Sequence, residues 1–129
     1  MTVVLHSPTP ADEIGLADAS NWQTVCELDD LEPEWGEAVL VDGEQVALYR
    51  LWDDSVCAVS NQDPATGSFV MARGIVGSRA GRPTIASPLH KQVYDLHSGM
   101  CLTHPGLTVP VVDARVAGGA VQVRLRRAA

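Results

Sequence analysis

Cysteine and histidine are the residue types of this chain that could hold a metal, and one short motif combines them. Cys101-Leu102-Thr103-His104 is a C-x2-H sequence, which could offer a thiolate and an imidazole to zinc or iron. A four-ligand site needs a second pair of ligands, and the sequence contains neither another C-x2-H nor any C-x-H sequence. The motif alone therefore does not predict a metal centre.

His90, His97 and His104 recur at intervals of seven residues, a regularity that could suggest a zinc site. Residues seven apart point to opposite faces of a strand, and Ser98-Gly99 predicts a turn between them. We therefore interpret these histidines as loop or surface residues. The three cysteines, Cys26, Cys57 and Cys101, are odd in number and far apart, so we expect buried thiols that pack as small hydrophobic residues rather than a disulfide framework.

Motifs for independent catalysis are missing from the sequence. It contains no G-x-S-x-G, no P-loop and no glycine-rich dinucleotide turn, so we expect the isolated chain to be inactive. One phenylalanine, two tyrosines and three tryptophans give little sign of a stacking platform for bases. No nucleic-acid partner is expected.

Short β-branched stretches separated by turn residues predict an all-β antiparallel sandwich or barrel. Alternation is clearest at the end, where Val121, Val123 and Leu125 share one face. Two polar segments, 61–67 and 87–91, interrupt this pattern, and such inserted loops are where a site is expected. The predicted strands are 22–28, 37–41, 45–52, 55–60, 73–76, 83–86, 92–95, 108–116 and 120–125.

The chain has 129 residues, which fits one domain, predicted here over 20–127 after a flexible tail at 1–19. No stretch approaches the roughly 20 apolar residues that span a bilayer, and no early apolar block resembles a signal peptide. We expect a cytoplasmic protein without a membrane partner. Charge is divided: residues 1–54 sum to −12 and residues 55–129 to +5.

The two polar segments carry a resemblance. The stretch Ala58-Val59-Ser60-Asn61-Gln62-Asp63-Pro64-Ala65 is similar to the approach to the first cluster-binding loop of a Rieske ferredoxin. The stretch Ser87-Pro88-Leu89-His90-Lys91-Gln92-Val93-Tyr94-Asp95-Leu96, followed by Ser98-Gly99, resembles the second loop and its strand. The resemblance implies a Rieske-like fold with two inserted loops, residues 60–104 corresponding to the former cluster-binding subdomain.

In that family a C-x-H loop and a C-x2-H loop supply two thiolates and two imidazoles. By this resemblance the cysteine positions fall at Asp63 and Ser87, and the histidine positions at Ala65 and His90. Only His90 keeps a ligand, so the resemblance implies a domain without a cluster. We expect Asp63 and His90 to meet across the loops as an ion pair or hydrogen bond in place of the metal.

A narrower resemblance involves Ser60-Asn61-Gln62-Asp63-Pro64, Ala72-Arg73-Gly74-Ile75, and Ala86-Ser87-Pro88-Leu89 with Lys91-Gln92. These segments resemble the small subunit of the assimilatory NAD(P)H-dependent nitrite reductase, a Rieske-like family. The resemblance implies a non-catalytic subunit that binds a large subunit. FAD, sirohaem, the iron–sulfur cluster and the reduction of nitrite to ammonium would then belong to that large subunit.

Two other interpretations stay open at this stage: a Rieske-type electron carrier of an oxygenase, and a stand-alone binding module with a Rieske-derived fold. If the chain is a subunit, we expect the loop tip to be one contact surface, because proline-stiffened loops bind with a low ordering cost. In the alternative, Pro64 and Pro88 only shape turns and Leu89 packs inward, and the contact surface is then the acidic segment 27–54. The tip residues are Pro64, Pro88, Leu89, His90 and Lys91.

Overall fold

The structure is a computed structural model that describes residues 3–5 and 21–126. Its ten strands are β1 Val3–Leu5, β2 Gln23–Glu27, β3 Trp35–Val41, β4 Glu44–Arg50, β5 Val56–Ser60, β6 Ile75–Arg79, β7 Arg82–Ala86, β8 Val93–Asp95, β9 Val111–Ala117 and β10 Ala120–Arg124. Two single 3-10 turns, Leu28–Asp30 and Met71–Arg73, complete the secondary structure. Among the described residues, no helix is long and apolar enough to cross a membrane.

Seven strands form one sheet in the order β1-β3-β4-β5-β9-β10-β2. All its pairings are antiparallel except that of β1 with β3, which is parallel. The β3–β4 hairpin turns at Asp42 and Gly43, both with positive φ, as the twist of paired strands favours. The predicted all-β antiparallel fold is confirmed.

The second sheet, β6-β7-β8, carries the predicted loops. Its inner face buries Ile85 and Tyr94 completely, in one cluster with Tyr49 and Met71 of the remaining chain. This packing fixes the small sheet on the large one. Residues 61–69 lead from β5 toward the small sheet, and residues 87–92 connect β7 to β8, so both loops start from anchored strands.

The structure differs from the predicted strands in three places. The strand expected at 73–76 is β6 at 75–79, because the Tyr49 hydroxyl donates to the Met71 carbonyl oxygen at 2.5 Å and holds residues 71–73 in a 3-10 turn. The strand expected from 108 begins at Val111. Within the predicted tail, β1 is a strand against β3, a long-range pairing; the other tail residues lie outside the described residues.

Gly99 sits where the turn after β8 passes close to the chain leading into β9. Its φ is 81°, and its carbonyl oxygen accepts the Val109 N–H at 2.8 Å. A Cβ at Gly99 would collide with the Val109 carbonyl oxygen. Gly106 has a similar φ of 91°, but a Cβ there would meet nothing within 4 Å. Substitution at Gly106 therefore tests backbone strain alone, and substitution at Gly99 tests strain together with steric collision.

We expect Gly99→Ala to lower the free energy of unfolding by about 3 kcal/mol or more, and Gly106→Ala by about 1 kcal/mol. In both variants an alanine must adopt a left-handed conformation, but only in Gly99→Ala must the backbone at Val109 also move. Chemical denaturation of both proteins measures the difference. Equal losses of unfolding free energy would show that the close approach of Gly99 to Val109 adds no steric cost.

Candidate functional site

Asn61 fixes the start of the first loop. Its side chain is fully buried, donates from Nδ2 to Gln45 Oε1 at 3.0 Å and accepts the Ala72 N–H at 2.8 Å. Its backbone N–H donates to the Gln45 carbonyl oxygen at 3.0 Å, and its carbonyl oxygen accepts the Met71 N–H at 3.0 Å. One residue therefore ties the loop to β4 and to the 3-10 turn.

Asp63, which the resemblance places at the first cysteine position, is fully buried. Its Oδ1 accepts the Ala65 N–H at 2.7 Å, an arrangement typical of an Asx turn. The backbone closes around it, with Asp63 N–H donating to Ser68 and Gly67 N–H donating to Asp63, each at 2.7 Å. The first loop is thus wound around a buried carboxylate.

Ser87, which the resemblance places at the second cysteine position, joins the loops directly. Its hydroxyl donates to Asp63 Oδ2 at 2.5 Å, and both residues are buried. The same hydroxyl accepts the Leu89 N–H at 3.2 Å, and the Ser87 N–H donates to the Gln92 carbonyl oxygen at 2.8 Å. The residues expected to replace two thiolates therefore hydrogen-bond to each other.

The expected contact between Asp63 and His90 is wrong. His90 is exposed, and no hydrogen bond or ion pair joins the two residues in the described part of the chain. His90 and Lys91 have φ values of 61° and 55°, so the second loop reverses direction there through two left-handed residues. With Ser87 already bonded to Asp63, the carboxylate is satisfied without an imidazole.

The residues at the four former ligand positions do not fit a Rieske cluster. Such a cluster needs two thiolates on one iron and two imidazoles on the other. Here Asp63 and Ser87 offer oxygen atoms that already share a hydrogen bond, Ala65 has no donor atom, and His90 is exposed. Across the described residues, no group of three or more histidine, cysteine or acidic side chains is arranged to hold a metal ion.

Tyr94 lies under the loops. It is fully buried, and its hydroxyl has no hydrogen-bond partner among the described residues. Burial raises the pKa of Tyr94 to about 12, with smaller contributions from the charges of Asp63 and Cys101. The group therefore stays protonated as an O–H beside a buried carboxylate. Sequence reasoning missed this residue, because a tyrosine in a strand signals packing before it signals a site.

The C-x2-H sequence does not form a ligand pair. Cys101 Sγ lies 3.5 Å from Thr103 Oγ1, and His104 Nδ1 lies 3.0 Å from the Pro105 carbonyl oxygen. His90, His97 and His104 are all exposed, as predicted. Cys26, Cys57 and Cys101 are free thiols. Cys57 is buried, as predicted, and burial raises its pKa to about 11, whereas Cys26 and Cys101 are only half-buried.

The loop tip has a mixed surface. Pro88, His90 and Lys91 are exposed, while Pro64 and Leu89 are half-buried. Neither His90 nor Lys91 makes an ion pair with any residue of ranges 3–5 and 21–126. The tip therefore offers an imidazole and one lysine ammonium beside a half-buried leucine.

Residues 21–124 match the family model described as Rieske-like [2Fe-2S] domain. Over 106 residues the chain is 42% identical to the nitrite reductase (NADH) small subunit of Salmonella typhimurium, covering 81% of this chain and 98% of that protein. The chain belongs to the nitrite reductase small-subunit family of Rieske-like domains. The chain thus keeps the Rieske-like fold of its family, while its two loops are joined by the hydrogen bond between Asp63 and Ser87.

Solved structures related to the small-subunit family extend the comparison. A Mycobacterium tuberculosis protein described as an NADH-dependent nitrite reductase small subunit is 51% identical, with a TM-score of 0.78, covering 84% of this chain and 96% of its own. The ferredoxin of carbazole 1,9a-dioxygenase from Nocardioides aromaticivorans is 29% identical, with a TM-score of 0.71, covering 81% and 98%. The fold is thus shared with an electron carrier.

We expect Ser87→Ala to lower the free energy of unfolding by about 1–3 kcal/mol, because it leaves a buried Asp63 oxygen without a donor. Ser68→Ala is the matched control: Ser68 is in the first loop but exposed, and we expect less than about 0.5 kcal/mol. A double-mutant cycle with Asp63→Ala measures the coupling by chemical denaturation. Additive losses would mean that the bond does not join the loops.

Proposed function

We propose that this chain is the small subunit of an NAD(P)H-dependent nitrite reductase and works by binding the large subunit. The identity of 42% over 98% of the Salmonella small subunit carries this proposal. In it, FAD, sirohaem and an iron–sulfur cluster are held by the large subunit, which reduces nitrite to ammonium in nitrate assimilation. The small subunit is cytoplasmic and supports that activity without a redox group of its own.

A further relative supports the pairing. A Klebsiella oxytoca protein named nitrite reductase [NAD(P)H] large subunit is 36% identical over 78 residues, which are 60% of this chain but 8% of that protein. A segment similar to this chain therefore occurs within a chain named as the large subunit. A fused domain has a high effective concentration beside its neighbour, an arrangement that suits two parts working together.

The ferredoxin likeness favours a second candidate, an electron carrier for an oxygenase. An electron carrier needs a redox centre near its surface. The hydrogen bond between Asp63 and Ser87 occupies the two positions where thiolates would be needed, so the residues of this chain argue for the subunit instead.

We expect nitrite-dependent NADH or NADPH oxidation only when this chain and the large subunit are expressed together, and we expect the two to elute as one complex. The small subunit alone should contain neither iron nor sulfide. Full activity of the large subunit alone would contradict the proposal, and a visible Rieske-type spectrum from the small subunit alone would favour the electron carrier.

In this proposal the tip residues Pro64, Pro88, Leu89, His90 and Lys91 contact the large subunit. We expect His90→Ala with Lys91→Glu to weaken the complex by about 1–3 kcal/mol without changing the melting temperature, since both side chains are exposed.

Arg79→Glu is the control for this variant. It makes the same charge change at an exposed cation outside the two loops. Titration calorimetry against the large subunit measures both proteins. If the tip variant and the control bind equally well, the tip is not a contact surface.

A further inference from the structure

Two strongly exposed tryptophans lie at the end of the β3–β4 hairpin opposite its Asp42-Gly43 turn. Trp35 is 58% exposed and Trp52 is 74% exposed. Trp35 pairs with Arg50 across the hairpin, so these two side chains share a face. Trp52 follows two residues after Arg50, in the turn that the Asp54 N–H closes by donating to the Leu51 carbonyl oxygen at 2.9 Å. We call Trp35 and Trp52 the tryptophan patch.

The third tryptophan of the chain, Trp22, makes cation–π contacts within this protein. The guanidinium carbons of Arg115 and Arg124 lie 4.1 Å and 4.5 Å from the centroid of Trp22. Tryptophan is the best aromatic partner for such cations. Within the described part of the chain, no cation is stacked on Trp35 or Trp52 in this way. Their faces are available to a partner.

The surroundings of the tryptophan patch are acidic. Glu34 precedes Trp35, Asp53 and Asp54 follow Trp52, and Arg50 is the one base of residues 27–54. That base is already used, because it donates to Asp54 Oδ1 at 2.8 Å and to the Leu31 carbonyl oxygen at 2.9 Å. A hydrogen bond from the Ser55 hydroxyl lowers the pKa of Asp53, next to Trp52, which keeps that carboxylate ionised. Cations are therefore attracted to this surface from outside.

We propose that the tryptophan patch is a docking surface for a basic region of the large subunit, with arginine or lysine side chains stacked on Trp35 and Trp52. The inference rests on the proposed function and adds a surface to it. Exposed tryptophans dominate binding energy at interfaces, and the acidic surroundings select a cationic partner. Residues 51–55 and the loop 61–69 leave opposite ends of β5, so this surface is separate from the tip.

A second copy of this chain fits the patch less well. Homodimers are mostly two-fold symmetric, so the same patch of both copies would meet. Two acidic surfaces would then face each other, and like charges oppose such a contact. The large subunit is a separate chain without this restriction.

The test compares binding of small-subunit variants to the purified large subunit. We expect Trp35→Ala with Trp52→Ala to raise the Kd roughly 10- to 100-fold, because truncated hot-spot residues lose this much affinity. Ile75→Ala is the matched control, since Ile75 is 75% exposed but lies on β6, and its Kd should equal that of the wild type. Unchanged melting temperatures show that both variants fold.

A second measurement reports on each ring. With 5-fluorotryptophan incorporated, the small subunit should give three fluorine resonances, one per tryptophan. Adding the large subunit should shift those of Trp35 and Trp52 and leave that of Trp22, already covered by two arginines, unchanged.

The outcomes separate the two proposals. If the double variant binds the large subunit as tightly as the wild type, the tryptophan patch is not a docking surface. The same follows if the complex forms without shifts of the Trp35 and Trp52 resonances. Either result leaves the proposed function standing. A wild-type chain that forms no complex overturns both. Dimers of the small subunit that dissociate in the double variant would assign the patch to a second copy instead.

Discussion

A carboxylate buried between two loops is the constraint on which this end of the molecule depends. Asp63 is fully buried, and its oxygens accept from the Ser87 hydroxyl and the Ala65 N–H. A buried charge without partners is strongly unfavourable, so the loops can separate only if this carboxylate is left unsatisfied or is hydrated. The hydrogen bond thus joins the loops at the two positions that the resemblance assigns to thiolates.

One hydrogen bond is a weak substitute for metal ligation. A structural zinc site supplies apparent binding free energies of about 10–16 kcal/mol, whereas a hydrogen bond to a charged group contributes about 1.5–3 kcal/mol. The loops here are stabilised by distributed contacts instead. Asn61 anchors the first loop to β4, and backbone bonds close residues 63–68 and 87–92 separately. Each loop has its own internal support, and the Asp63–Ser87 bond sets their mutual position.

Local patterns predicted most strands, because alternation and turn pairs such as Asp42-Gly43 act over a few residues. The displaced β6 and the β1–β3 pairing depend on contacts far apart in sequence, which no local pattern contains. The same applies to the site. The sequence identified Asp63 and Ser87 as altered ligand positions, but not that they bond to each other. The reversal at His90 and Lys91 was also hidden, because non-glycine residues rarely take positive φ.

The two proposed contact surfaces differ in the kind of energy they offer. Charges at the tip and around the tryptophan patch act over a distance and steer association, while affinity comes chiefly from buried aromatic area. The acidic residues beside the tryptophan patch and Lys91 at the tip give the subunit a charge polarity that favours one orientation on its partner. Between them runs β5, whose central residues Cys57, Ala58 and Val59 are buried. Because this strand is fixed within the core, a partner that touches both surfaces must match the fixed distance between the tip and the tryptophan patch. The rigidity of the large sheet therefore contributes to specificity.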